Sequence, residues 1–380
     1  MNKKNIISLI LLAALTTIVG CRHDEPVRPP EEEQHGDSLH NDIAGFYLLN
    51  EGNMGSNKAT LDYYDYATAT YRRNIYAEAN PNVAKELGDV GNDLQIYGNR
   101  LYAVINCSNK VEVMNAHTYE RIGQVDIPNC RYITFDGGFA YVTSYAGPVS
   151  LADSLAQIGY VARIDTATLQ ITGICNVGYQ PDELTVANGK LYVANSGGYM
   201  NPGYDYTVSV IDIATFTEIK RIPVAINLHR VRKDNHNQLW VSSRGDYFAI
   251  PSRLYCIDLA TETVVDSVLS AVSDLDIVGD SLYLYGQEFS YITMQDEMTF
   301  GIVNTCTRKM ITANFITDGT ESELQKPYCL KINPLTREIL LSDAKDYVTP
   351  GALHCYSPEG KRNWSVRTGD IPAHIAFLYR

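Results

Sequence analysis

The sequence is short of Trp, with two, and of Phe, with nine; its bases are outnumbered by its acids; and after residue 20 no apolar run is long enough to span a bilayer. Each shortage excludes something. Lys+Arg 31 against Asp+Glu 44 gives a formal charge of -13, a field that repels phosphate backbones, so nucleic acid is not an expected partner. No CxxC pair accompanies His at zinc spacing, and GxSxG, HExxH and a Gly-rich phosphate loop are all missing. Cys107, Cys130, Cys175, Cys256, Cys306, Cys329 and Cys355 are expected to be free thiols, although an oxidising compartment would permit one disulfide. What is abundant is Tyr, with 27, a side chain that stacks with one face and hydrogen-bonds at its tip but is also a good strand former.

The chain opens with a short basic head around Lys3 and Lys4, an apolar run from Ile6 to Val19, and then Gly20-Cys21. Residues 1–20 therefore read as a secretory signal. Small residues before a Cys resemble the lipobox of bacterial lipoproteins, which implies that Cys21 carries acyl chains and that lipid alone anchors the protein to a membrane. Residues 21–42, RHDEPVRPPEEEQHGDSLHND after the Cys, have the composition of a disordered acidic tether. Asp24-Glu25 resembles the export signal of lipoproteins displayed on the outer surface of some Gram-negative bacteria; the alternative is a solvated periplasmic linker.

Internal repeats decide the fold. VSVIDIATFTEIKRIPV recurs in weakened form as VEVMNAHTYERIGQVDI, VARIDTATLQITGICNV, LYCIDLATETVVDSVLS and FGIVNTCTRKMITANFI, with outer members LDYYDYATATYRRNI and LHCYSPEGKRNWSV. Asp65, Asn115, Asp165, Asp212, Asp258, Asn304 and Ser357 hold one register, each ending a strand where a side-chain oxygen can accept from turn amides. A strand of the LYVAN type precedes each hairpin, and a further strand precedes most of those. The expected fold is all-β: a seven-bladed β-propeller over residues 43–380. Two β-sandwiches would not produce seven registers of one pattern. The segment from Ala373 to Tyr379 has strand character but no hairpin of its own, so it should complete the N-terminal blade and hide both strand edges.

Loop lengths vary only between second and third strands and between blades, which places all the variation on one rim. Those loops put Tyr145, Tyr199, Tyr204, Tyr206, Tyr247, Phe248, Phe289, Tyr291 and Tyr347 there, among Gly, Asn and Asp. Such residues can lie against a planar ligand while amides and carboxylates hold its polar edge. The innermost strands should ring the channel mouth with Asn92, Asp93, Arg131, Tyr132, Gln180, Asp182, His229, Arg230, Asp274, Lys326 and His374. His229 and His374 lack a partner His at ligand spacing, so they are read as hydrogen-bonding residues, and no metal or catalytic residue is expected. Two Trp cannot supply the docking positions of a quinoprotein, whereas Asn92, Asp93 and Asp182 keep a lactonase-like hydrolase open as a weaker reading.

The lipobox, tether and blade signatures VIDxAT and LYVAN resemble the YncE-like propeller lipoproteins of gut Gram-negative bacteria. Within them, the opening FYLLNEGNMGSNKATLDYYD is similar to the cobalamin-capturing surface lipoproteins, the BtuG-like group. That resemblance implies a non-enzymatic protein that binds a corrinoid as cargo, without a cofactor of its own, and passes it to a TonB-dependent outer-membrane transporter. A corrinoid is a broad apolar macrocycle fringed by amides with a phosphate-linked nucleotide tail, which a Tyr-lined rim and a polar collar with Arg131 or Arg230 would suit. The alternative is a propeller whose rim binds another protein or a glycan.

Overall fold

In the computed structural model, residues 32–36, 38, 42–83, 87–149, 156–290 and 295–380 are described; Cys21 and Tyr291 lie outside them. Seven antiparallel sheets form the ring. Six of them are consecutive up-and-down meanders that begin with the inner strands Gly91–Tyr97, Cys130–Asp136, Pro181–Ala187, Leu228–Lys233, Asp274–Val278 and Pro327–Ile332. These are blades two to seven.

Blade one is assembled from both ends of the chain. Its inner strand is the C-terminal Pro372–Tyr379, paired antiparallel with Ile43–Asn50 from Ile43 opposite Tyr379 to Asn50 opposite Pro372. Thr60–Asp65 and Thr70–Arg72 follow outward. A fifth strand, Glu32–Gln34, lies against Thr70–Arg72. Part of the segment read as tether is thus ordered, because Glu32 reaches Arg72 at 3.2 Å and Glu33 reaches Arg73 at 3.0 Å.

The register residues act as the repeat pattern implies. Asp258 Oδ1 accepts from the amides of Ala260 at 2.9 Å and Thr261 at 2.8 Å, and Asp65, Asn115 and Asp165 make the same contacts in their turns. Each hairpin then closes through a residue at positive φ, such as Leu169 at 60°, Phe216 at 52° or Glu262 at 51°. Asp212 pairs with Thr217 and Asp258 with Thr263 across four-residue loops, a short hairpin length that leaves little room for insertion. This is why the tight-turn rim is uniform.

The core is distributed over the seams between blades rather than gathered at a centre. Tyr102, Val104 and Val113 of blade two meet Ile133, Ala140 and Val142 of blade three, and equivalent clusters fill the other junctions. Eight Tyr, including Tyr47, Tyr102, Tyr141 and Tyr192, are among the largest fully buried side chains, so much of the Tyr content is blade packing rather than recognition surface. The seven described Cys are all free.

Deleting residues 372–380 should strip the inner strand from blade one and lower the melting temperature of the whole domain cooperatively. An unchanged melting temperature in calorimetry would contradict this closure.

Candidate functional site

The long-loop rim opens into a cleft of about 910 Å³ over the channel mouth. Inner strands reach it with their first residues, because each runs from this rim towards the tight turns. Asn92, Arg131, Tyr132, His229, Arg230 and His374 are presented in this way, and the loops add Tyr199, Tyr247 and Tyr347.

Asp182 organises the cationic side although it has no exposed surface. Its Oδ2 lies 2.8 Å from Arg244 Nη1, its Oδ1 3.4 Å from Arg131 Nε, and Tyr145 donates its hydroxyl to Oδ1 at 2.8 Å. The Arg131 guanidinium also sits over the Tyr145 ring, 4.9 Å from its centroid. Arg230 stacks over Tyr132 at 5.4 Å and lies 2.9 Å from Asp274. Burial opposes the charge on Arg230, yet Asp274, Tyr132 and Glu183 hold its pKa well above the ordinary value. Tyr132 in turn meets His229 Nε2 at 3.0 Å.

Burial first, and the neighbouring arginines second, push the pKa values of His229 and His374 well below that of a free imidazole. Both rings are therefore neutral at pH 7. Burial likewise raises the Glu51 carboxyl, which accepts from Tyr328 Oη at 2.6 Å. The cleft floor combines three guanidiniums, two neutral imidazoles and a wall of aromatic rings. The carboxylates nearby are occupied: Asp182 by two arginines, and Asp93 by the amides of Leu94 at 2.8 Å and Ile133 at 2.9 Å. Such a site can hold an anionic or amide-bearing ligand against flat apolar surface.

Several residues picked from sequence stand elsewhere. Tyr145, Gln180 and Asp182 are buried behind the lining, where Gln180 Oε1 fixes the Tyr199 amide at 2.8 Å, and Asp93, also buried, lines a second cavity instead. Tyr204 is buried and Tyr206 is exposed, but neither lines the cleft. The reason is Asp205, whose carboxylate takes the amides of Tyr179 and Thr207 and pins that end of the loop to blade three. The Phe289 side chain and Tyr291 lie outside the described residues.

Others were missed. Glu51, Asn106, Arg244, Tyr285, Gln287 and Tyr328 line the cleft. Tyr328 was legible: it is the second residue of its inner strand, the place held by Asn92, Arg131 and His229, whereas Lys326 lies outside the lining.

Replacing Asp182 with Ala should cost about 3 kcal/mol of stability, because two guanidiniums lose their buried counter-ion. Tyr145→Phe should cost about 1.5 kcal/mol, one hydrogen bond to a charged acceptor. Denaturant titration measures both, and a loss below about 0.5 kcal/mol for Asp182→Ala would remove it from this role.

No curated protein matches the sequence. Among solved structures, Kuenenia stuttgartiensis hydrazine synthase is similar at TM-score 0.60 and 15% identity, covering 75% of this chain and 89% of that one. A quinonprotein alcohol dehydrogenase-like protein from Bacteroides thetaiotaomicron gives TM-score 0.58 and 16% identity over 90% of this chain and 79% of that one. The dihydro-heme d1 dehydrogenase NirN, in complex with DHE, gives 0.53 and 11% over 92% and 82%. At these identities the likeness concerns the fold alone. A family profile described as "Domain of unknown function (DUF5074)" matches residues 44–359, and the chain belongs to that family.

Proposed function

We propose that this chain is a lipid-anchored outer-membrane protein, exposed on the cell surface, that captures a corrinoid in the long-loop cleft and passes it to a TonB-dependent transporter. The observation that carries the reading is the cleft itself, in which Arg131, Arg230 and Arg244 share one cavity with Tyr199, Tyr247 and Tyr347. Its volume of about 910 Å³ falls in the upper part of the range for small-molecule sites.

The ligand chemistry matches on both counts. A corrin ring is broad and largely apolar, which suits aromatic walls, while its amide fringe can pair with Asn92, Asn106 and the neutral His229 and His374. The phosphate of the nucleotide tail supplies the anion that three guanidiniums would hold. NirN offers a precedent for a propeller named for a haem-derived macrocycle. Cys21 after a signal-like run supports the anchor, and the opening FYLLNEGNMGSNKATLDYYD supports the corrinoid class.

Handover requires no chemistry in the cleft. A transporter that offers the ligand more contact in its own closed state would draw it out, and the open, one-sided cleft leaves a path for that exchange.

Mature protein mixed with cyanocobalamin should carry the red chromophore through gel filtration, and Arg131→Ala with Arg244→Ala should weaken binding about tenfold or more in calorimetry. Elution without the chromophore, and no heat of binding, would turn the assignment to a protein or glycan partner. In cells, Cys21→Ala should release a soluble domain that binds as tightly as before. Retention of that variant in the membrane fraction after signal removal would refute the lipid anchor.

A further inference from the structure

A regularity at the cleft mouth emerges from counting along each blade from one structural point. The point is the second-strand residue that pairs with the first residue of the inner strand: Asn50 with Pro372, Ile105 with Gly91, Ser144 with Cys130, Asn195 with Pro181, Ser243 with Leu228, and Asp343 with Pro327. Four residues later stand Met54, Asn109, Pro148, Tyr199, Tyr247 and Tyr347, in blades one, two, three, four, five and seven respectively. Blade six fills its place with the long hairpin made by Ser281–Ser290 and Gln295–Asn304.

The large side chains are therefore grouped. They belong to blades four, five, seven and one, which with blade six form one uninterrupted arc of the ring. The small or polar residues, Asn109 and Pro148, belong to the adjoining blades two and three. Met54, Tyr199, Tyr247 and Tyr347 all line the cleft yet remain 81%, 46%, 66% and 40% exposed, while Asn109 and Pro148 do not line it.

Two of these rings are held in place at a cost. Tyr247 and Tyr347 have φ of 60° and 65°, a region that bulky residues seldom occupy. In each case the preceding Asp fixes the turn: Asp246 Oδ1 accepts from the amides of Phe248, Ala249 and Ile250, and Asp346 Oδ1 from those of Val348 and Thr349. Two separate loops thus use the same device to hold a Tyr in the cleft wall. Opposite the arc, blades two and three contribute Asn92, Asn106 and Arg131, beside Val90, Cys107 and Tyr132.

We infer that the ligand binds in one orientation, its flat apolar body under the arc of Met54, Tyr199, Tyr247 and Tyr347 and its anionic edge towards Arg131 in the gap at blades two and three. The choice of probe rests on the corrinoid reading above; the orientation is new to it. Covering the arc removes exposed apolar surface from water; Arg230 and Arg244 belong to blade five within the arc, so Arg131 is the lining guanidinium on the side of blades two and three that an anionic edge left outside the arc would meet.

Calorimetry with two probes, cyanocobalamin and cobinamide, tests this, since cobinamide lacks the phosphate-linked nucleotide. The double change Tyr247→Ala with Tyr347→Ala should weaken both by about tenfold or more. Arg131→Gln should weaken cyanocobalamin by at least about fivefold more than cobinamide, and Arg131→Lys should restore part of that difference. Asn109→Ala with Pro148→Ala, at the same register, should change neither. Wild-type binding by the double Tyr variant, or equal loss for both probes in Arg131→Gln, overturns the inference. Should the unmodified protein bind neither corrinoid, the corrinoid reading fails by itself. The arc is then judged with anilinonaphthalenesulfonate, a flat apolar anion: its fluorescence gain must disappear in the double Tyr variant and survive in the control. Absence of any gain with the unmodified protein also overturns the arc.

Discussion

The ring has no covalent closure, and everything in the cleft hangs on the pairing of Pro372–Tyr379 with Ile43–Asn50. That pairing supplies blade one with its inner strand and brings His374 to the channel mouth beside the residues of blades two to seven. It also removes the two strand edges that a ring open at this seam would expose. Glu32–Gln34 reinforces the same region from outside, since His35 and Gly36 approach Trp364 of blade seven while the strand pairs with blade one. Inner and outer pairings thus bracket the seam where the chain ends meet.

On that frame the electrostatics are divided by face. The chain carries a formal charge of -13, yet the cleft floor gathers Arg131, Arg230 and Arg244. Their charges survive burial because Asp182, Asp274 and Glu183 sit close behind them. Burial first, and the same positive field second, keep His229 and His374 neutral, so they can accept as well as donate. A cationic floor within an acidic protein focuses attraction for an anionic ligand on one place.

Repetition made the fold legible in the sequence. Seven Asx- or Ser-type registers fixed the hairpins, and the surplus strand at the end fixed how the ring closes. The face carrying the cleft followed from where loop length varies. Individual site residues were harder, because direction within a loop depends on hydrogen bonds that composition does not reveal. Tyr204 and Tyr206 are held away from the cleft by Asp205, and nothing in NSGGYMNPGYDY signals that. Asp182 was picked as a ligand contact, but its place behind two arginines emerges only when blades three, four and five are brought together. Glu51 and Tyr285 resemble ordinary strand-end and strand residues until the ring places them at the mouth.

Hydrogen exchange read by mass spectrometry, with and without cyanocobalamin, tests the central claim most directly, because it reports every rim at once. Protection is expected in residues 51–57, 244–252 and 344–350 on the long-loop rim, with the turns at 66–69, 116–119 and 213–216 unchanged. Protection confined to those turns, or none anywhere at saturating ligand, would contradict the account.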